Sequence, residues 1–133
     1  MSEELTIGEL VKQTRLRHSA LRYYESIGLL TPERRVSGQR RYLPEAVRRL
    51  KLIQLAQMMG FSLDEIHILL DGFPESTPPA LRWRAITPQK LAEIDLLIRR
   101  VEQIKGMLES TLRCECESLE DCPALCDSLS ETP

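Results

Sequence analysis

The pattern of apolar and polar positions divides the chain into a stretch of short helices followed by one long helix. In the first half, apolar residues recur every three or four positions over short runs that end at turn residues, as amphipathic helices do. Thr6 can cap a helix, Ser62 and Glu65 form a capping box, and Gly28 and Gly60 are stop signals. The pattern predicts four helices, at about residues 6–13, 19–27, 45–59 and 63–70. The tight link between the first two predicts a helix-turn-helix.

The segment between the second and third predicted helices is built around a turn. Pro32, Ser37 and Gly38 are turn residues, and the arms beside them are too short for helices. We expect these arms to pair as a two-stranded wing. Pro44 then begins the third helix in its first turn, where proline is tolerated.

Residues 87–112 follow a different pattern, in which apolar positions alternate steps of three and four. This is the seam of a coiled coil, with Lys105 in one core position. The helix would span roughly 39 Å, which overhangs a small domain. We favour dimerisation through this seam over a single helix packed on its own domain. The predicted interface residues are Leu91, Ile94, Ile98, Val101, Leu108 and Leu112.

Charge is distributed unevenly along the chain. Residues 1–59 hold eleven Lys and Arg against six Asp and Glu, a balance of +5, whereas residues 60–133 hold seven against fourteen, a balance of −7. A basic first half indicates a polyanionic partner for that half only, although a chance fluctuation is an alternative.

Basic and tyrosine side chains mark the surface that would bind a polyanion. The second helix is the candidate for the DNA major groove. Arginine neutralises phosphate and pairs with guanine, and tyrosine hydroxyls can reach phosphate. The candidate DNA-binding residues are Arg15, Arg17, Arg22, Tyr23, Arg34, Arg40, Arg41 and Tyr42.

All four cysteines are clustered near the end of the chain. In a cytosolic protein, clustered thiols favour metal or redox chemistry over structural disulfides. Soft thiolates select Cu(I), zinc or iron–sulfur centres. The candidate metal ligands are Cys114, Cys122, Cys116 and Cys126.

Two classes of protein do not fit the sequence. No apolar run approaches the roughly 20 residues of a membrane span, and the first residues lack the features of a signal peptide, so a cytoplasmic protein is expected. Paired catalytic carboxylates, a phosphate loop and a Cys/His couple do not stand out either. An enzyme is therefore not expected.

Three motifs resemble the MerR family of transcriptional regulators over about residues 5–126. They are Leu21-Arg22-Tyr23-Tyr24-Glu25 with Gly28-Leu29-Leu30, Gln39-Arg40-Arg41-Tyr42, and Gly60-Phe61-Ser62-Leu63-Asp64-Glu65-Ile66. The resemblance implies a homodimer whose long helices pair antiparallel. It also implies activation at a promoter with an overlong spacer, where RNA polymerase is a further partner and the ligand-filled regulator distorts double-stranded DNA.

The cysteine loop is similar to that of two branches of this family. Cys114, seven residues and then Cys122-Pro123 resemble the copper-sensing (CueR) branch, which implies two thiolates around Cu(I), Ag(I) or Au(I). With Cys116, the loop also resembles the superoxide-sensing (SoxR) branch, whose [2Fe–2S] cluster needs four cysteines. That branch has a cysteine where Thr111 stands here. Divalent-metal branches add a cysteine near the position of Ala80, and its absence here weakens zinc, cadmium, lead or mercury as the ion without excluding them.

The sequence thus predicts a mainly α protein, a ligand-responsive regulator that senses a soft metal ion. An iron–sulfur or thiol-switch redox sensor is the alternative within the family, and a metal-buffering protein is the alternative from another class. The predicted parts are a winged helix-turn-helix DNA-binding domain (1–72), a hinge (73–86), a coiled-coil dimerisation helix (87–112), a cysteine sensor loop (113–127) and a disordered tail (128–133).

Overall fold

The structure is a computed structural model that describes residues 3–122. It is mostly helical, with a small sheet near the start of the chain. The elements are β1 (Leu5–Thr6), α1 (Ile7–Thr14), α2 (His18–Ser26), β2 (Arg34–Val36), β3 (Gln39–Tyr42), α3 (Glu45–Met58), α4 (Leu63–Asp71), α5 (Pro79–Thr111) and a 3-10 turn (Leu119–Asp121). The predicted tail and Cys126 lie outside the described residues.

Both predicted N-terminal caps are confirmed. At the start of α1, the Glu9 amide donates to Thr6 Oγ1 at 3.2 Å and the Thr6 amide donates to the Glu9 carboxylate at 3.1 Å. Ser62 and Glu65 make the same reciprocal pair at the start of α4, at 2.8 and 3.1 Å. Each box satisfies amides that have no partner inside the helix.

The sheet has one strand more than the predicted wing. β2 and β3 form the antiparallel wing, and β1 pairs with the other edge of β3, with Leu5 opposite Tyr42. A strand of two residues carries no alternating pattern that a sequence can reveal. It ties the start of the chain to the wing.

The residues up to Ile86 form one compact unit around a single apolar core. The wing joins α1 to α4 in that core, and Trp83 packs against its edge with its ring centroid 5.9 Å from that of Phe61. The fully buried large side chains are Tyr42, Leu10, Leu21, Leu29, Leu50, Ile53 and Ile66.

The long helix begins earlier than predicted. α5 has 33 residues and starts at Pro79 rather than Thr87, so most of the predicted hinge is helical. Pro79 is suited to a helix start, but so is Pro88, because either would occupy a first turn where an amide needs no partner. Pro88 instead lies inside α5, where it removes one backbone hydrogen bond.

The residues from Thr87 onward form a second compact unit. In the single chain, the predicted seam residues Leu91, Ile98, Val101, Leu108 and Leu112 are each half exposed or more, and Ile94 is partly buried. Leu96, Leu97 and Ile104, which the seam did not include, are exposed as well. None of the helices in residues 3–122 is both long and apolar enough to cross a membrane.

Candidate functional site

One face of α2 is packed and the opposite face is open. Leu21 and Tyr24 are buried, and Tyr24 donates from its hydroxyl to Gln57 at 2.9 Å. Arg22 and Tyr23 lie between them in sequence and point to solvent. The periodicity of a helix therefore places Arg22 and Tyr23, two of the predicted DNA-binding residues, on the face away from the core.

The link before α2 presents two more predicted arginines. Arg15 closes α1 in the left-handed conformation with φ 62°, and Arg17 is the residue that precedes α2. Both side chains are exposed. Arg15, Arg17 and Arg22 therefore form a basic group around the start of α2, where the positive end of the helix dipole adds to their attraction for phosphate.

The wing carries four arginines on two paired strands. Arg34 lies opposite Arg41, and Arg35 lies opposite Arg40. Like charges at directly opposed positions repel each other. Two carboxylates offset this repulsion, because Glu4 binds Arg34 with an N–O distance of 2.5 Å and Glu25 binds Arg40 at 2.9 Å.

Tyr42 differs from its predicted role. Its side chain is fully buried, and its hydroxyl donates to the carboxylate of Glu25. Burial is the larger cause and the Glu25 carboxylate the smaller cause of a raised Tyr42 pKa. The hydroxyl is thus engaged inside the protein, and Tyr42 fixes the wing to α2 instead of facing phosphate.

Arg41 combines burial with an unsatisfied donor. Its Nη1 atom is buried and has no hydrogen-bond partner among the described residues. A buried guanidinium nitrogen without a partner is energetically costly. This atom is closed to solvent, so DNA contact by Arg41 stays a prediction.

Three side chains with a supporting role were not identified from the sequence. Glu25 links Arg40 to Tyr42, as described above. Arg49 donates from Nε to the Leu29 carbonyl at 2.6 Å and from Nη2 to Asp71 at 2.8 Å, which ties the end of α2 to α3 and α4. Leu29 and Asp71 are 20 and 22 positions from Arg49 in the chain, so no local sequence pattern predicts these contacts.

The cysteine loop brings three of the four candidate thiols together. The sulfur atoms of Cys114, Cys116 and Cys122 all lie within 4.8 Å of one another. Cys114 Sγ is 3.6 Å from Cys122 Sγ and accepts the Cys116 amide at 3.4 Å. The 3-10 turn Leu119–Asp121, with Ser118 bonded to Asp121 at 2.7 Å, returns the chain so that Cys122 meets Cys114.

The three thiols influence one another's protonation. The Cys116 amide, together with the neighbouring thiols, lowers the pKa of Cys114. Hydrogen bonding to Cys114 raises the pKa of Cys116, and bonding to both neighbours raises that of Cys122 to about 11. One thiolate is therefore favoured at a time, because further negative charge accumulates beside it. A cation that binds the group would displace the remaining protons.

The spacing of the sulfurs can be compared with what a metal requires. With a metal–sulfur bond of about 2.3 Å, two sulfurs on one ion are at most about 4.6 Å apart, when they lie on opposite sides of it. The 3.6 Å between Cys114 and Cys122 corresponds to an angle of about 100° at the ion. The Cys114–Cys122 pair therefore fits a three- or four-coordinate soft ion directly, with Cys116 close by. A linear two-coordinate ion requires the two sulfurs to separate by about 1 Å.

Comparison with known proteins identifies relatives along almost the whole chain. Residues 5–72 match a family model described as "MerR HTH family regulatory protein", and residues 47–111 match one described as "MerR, DNA binding". The chain is 39% identical over 123 residues to the HTH-type transcriptional activator SoxR homolog of Chromobacterium violaceum, covering 89% of this chain and 80% of that protein.

Two further matches are also named as transcription regulators, and the structure of one of them contains lead(II). The HTH-type transcriptional regulator HmrR of Rhizobium leguminosarum bv. viciae is 34% identical, with 91% of this chain and 95% of the relative covered. The crystal structure of the transcription regulator PbrR691 from Ralstonia metallidurans CH34 in complex with lead(II) is 28% identical and superposes with a TM-score of 0.73. That match covers 94% of this chain and 98% of the other.

Proposed function

Since the chain belongs to the MerR family of DNA-binding transcriptional regulators, which are not enzymes, we propose that it senses a soft metal ion through its cysteine loop. The observation that carries this proposal is the meeting of Cys114, Cys116 and Cys122 within 4.8 Å. Three sulfurs that converge in an exposed loop form a ligand set for a thiophilic cation. Cys114 and Cys122 are the principal ligands, and Cys116 is the third.

A monovalent coinage ion is the first candidate, and lead(II) is the next. The spacing from Cys114 to Cys122-Pro123 supports Cu(I), Ag(I) or Au(I), as the resemblance to the copper-sensing branch implies. The three-sulfur geometry and the lead(II) complex of PbrR691 support a larger, three-coordinate ion. Zn(II) and Hg(II) are weaker candidates, and the missing cysteine near Ala80 counts against lead(II) as well. Cys116 separates the two possibilities, because a linear ion leaves it unused.

Binding of DNA is assigned to the basic group around α2 and to the wing. Arg15, Arg17, Arg22 and Tyr23 are exposed, so α2 can enter the major groove while they contact phosphates and base edges. Arg34, Arg40 and Arg41 would contact the flanking backbone from the wing. Tyr42 and Glu25 hold the wing against α2 and fix the spacing of the two parts.

Dimerisation is assigned to the exposed apolar stripe of α5. Half-exposed side chains such as Ile98 and Val101 would be buried against a second copy of the helix, whose antiparallel direction the family resemblance implies. Two copies of α2 then reach two half-sites of a promoter. Activation in the presence of RNA polymerase requires that the ion bind the DNA-distorting conformation more tightly than the resting one.

A redox sensor is the second candidate function. Its support is the 39% identity to a SoxR homolog and the Cys114, Cys116 and Cys122 spacing. A [2Fe–2S] cluster needs a fourth cysteine. Thr111 occupies the place of the family's first one, so Cys126 would have to supply the ligand. The metal-buffering alternative loses its basis, because relatives over nine-tenths of the chain are named transcriptional regulators.

The test is metal binding by protein purified without oxygen. We expect one Cu(I), Ag(I) or Pb(II) ion per cysteine loop in titrations against a competing chelator, with sulfur-to-metal absorption and no iron or sulfide. Cys114→Ser and Cys122→Ser should abolish tight binding, whereas Cys126→Ser, the matched control that also removes one thiol, should retain it. A coloured protein that contains iron and sulfide and loses both in all four single variants would replace this proposal with the redox sensor.

A further inference from the structure

A carboxylate at the start of the chain occupies one of the wing arginines that face the proposed DNA surface. Arg34 Nε donates to both oxygens of Glu4, at 2.7 and 2.9 Å, and Arg34 Nη2 lies 2.5 Å from Glu4 Oε1. The two residues are 30 positions apart. The Arg34 side chain remains 62% exposed, whereas that of Glu4 is 21% exposed.

The pairing of β1 with β3 brings Glu4 to this position. Leu5 and Thr6 are held opposite Tyr42 and Arg41, so the residue before them is carried to the rim of the wing. The hydrogen bond from Arg34 is the main cause of a lowered Glu4 pKa, and Arg41 adds a smaller attraction. Glu4 is therefore ionised at neutral pH and occupies the fork of a guanidinium that is itself accessible to solvent.

Glu4 and Glu25 bind wing arginines in different surroundings. Glu25 is 12% exposed and shares its carboxylate with the buried Tyr42, so it holds Arg40 from the edge of the packed core. The Glu4–Arg34 pair lies at the surface, where Arg34 is largely exposed. Exposed ion pairs are weak and exchange readily with other anions. A guanidinium fork binds carboxylate and phosphate with the same bidentate geometry.

We propose that Glu4 is an intramolecular competitor of DNA phosphate for Arg34, and that it lowers the sequence-independent affinity of the regulator for DNA. Phosphate contacts supply most of the non-specific affinity, whereas base contacts supply sequence discrimination. An arginine that must leave Glu4 before it binds phosphate contributes little on random DNA. Glu4 thereby increases the share of affinity that comes from reading bases. This inference rests on the proposed DNA-binding role of the wing and is independent of the cysteine loop.

The experiment uses the full metal-free chain and a fluorescent duplex of mixed sequence, over a series of salt concentrations. Glu4→Gln keeps the size of the side chain and removes the charge that holds Arg34. We expect affinity to rise about two- to fivefold per bound subunit at low salt. The plot of log affinity against log salt should steepen by up to about 0.9 for each new phosphate contact.

Two further variants separate competition from a general charge effect. Glu3→Gln makes the same change of charge at the exposed neighbouring residue and should give a smaller gain. In an Arg34→Ala background, Glu4→Gln should give no more gain than Glu3→Gln does. A Glu4→Gln gain that equals that of Glu3→Gln, or one that persists without Arg34, would overturn the proposal.

A purely structural role for Glu4 predicts the opposite sign. If Glu4 only offsets repulsion among the wing arginines, Glu4→Gln should lower the melting temperature and weaken DNA binding, and that result would also overturn the proposal. Should wild type bind the duplex and lose affinity on Arg22→Ala while Glu4→Gln changes nothing, this inference fails and the proposed DNA binding stands. If wild type does not bind DNA at all, the proposed function fails.

Discussion

The two compact units of the chain use their apolar residues in opposite ways. In the unit that ends at Ile86, large side chains such as Leu10, Leu50 and Ile66 are completely buried, and hydrogen bonds join residues far apart in the chain. In the unit from Thr87 onward, large apolar side chains such as Leu91, Val101 and Leu108 are more than half exposed, although Ile94 is partly buried. Within α5, hydrogen bonds such as that from Ser110 to the Gly106 carbonyl join residues only four positions apart.

This difference indicates where each half obtains its stability. The first unit has a closed apolar core, and its cross-links fix the position of α2 and the wing. The second unit exposes a stripe of apolar surface and a group of thiols, which the proposed partner helix and metal ion would cover. We infer that the first unit is a rigid DNA-binding part. The second unit would obtain its stability from a partner helix and a bound metal ion.

The largest expected effect is the loss of the dimer. Ile98→Asp would bury a carboxylate in the proposed apolar seam, which costs more than the roughly 2–5 kcal/mol of a typical core cavity. We expect monomers by light scattering and no operator binding. Gln103→Asp, on the same helix but off the seam, is the matched control and should remain dimeric. A dimeric Ile98→Asp variant would place the interface elsewhere.

A core substitution should have its effect on the first unit alone. Leu50 is completely buried, so Leu50→Ala should lower the free energy of unfolding by about 2–5 kcal/mol. Leu108→Ala, at a 62% exposed position, should leave the stability of the isolated subunit nearly unchanged and weaken only dimerisation. Chemical denaturation at protein concentrations below and above the dissociation constant of the dimer separates an effect on subunit stability from an effect on dimerisation. If both substitutions lowered the free energy of unfolding of the monomer equally, the contrast between the buried core of the first unit and the exposed apolar residues of the second would be wrong.

Removing an exposed arginine from α2 should affect DNA binding without affecting the fold. Arg22 faces solvent between the buried Leu21 and the exposed Tyr23. Arg22→Ala should weaken binding to an operator selected from random duplexes by about 1–3 kcal/mol and leave the dimer intact. Unchanged affinity at moderate salt in a gel-shift titration would remove Arg22 from the contact set.

The smallest of these effects concerns a helix cap. Ser62→Ala removes the acceptor of the Glu65 amide, and the free energy of unfolding should fall by about 1 kcal/mol. Ser62→Asp keeps an acceptor at the same place and should restore most of the loss. If the alanine variant is as stable as wild type in denaturant titrations, the capping box does not stabilise the first unit.

Features with a local cause could be predicted from the sequence. The capping boxes of Thr6 and Ser62 depend on residues three positions apart, and α2 follows from its helical spacing. The start of α5 could not be predicted, because Pro79 and Pro88 are both compatible with a first turn. Contacts across the fold were also missed, such as that between Glu4 and Arg34.

Within the candidate sites the same distinction holds. The cysteine spacing identified the loop, but only the structure shows that Cys116 joins Cys114 and Cys122 in one group, once the 3-10 turn after Ser118 has returned Cys122 to Cys114. We predicted a phosphate contact for Tyr42 because the hydroxyl of a tyrosine in the wing can reach phosphate. Its burial against Glu25 depends on how β3 packs on α2, which no local pattern encodes.

The central claim is that the cysteine loop provides the signal while the first unit binds DNA without it. The most direct test is promoter induction by copper, silver, gold or lead salts, and separately by a redox-cycling compound, in the four single Cys→Ser variants, with operator binding measured alongside. We expect Cys114→Ser and Cys122→Ser to bind the operator normally and to lose induction by metal, and Cys126→Ser to respond like wild type. Cys116→Ser should lose the response if the ion is three-coordinate and keep it if the ion is linear. A Cys114→Ser variant that responds like wild type to every inducer would contradict the account.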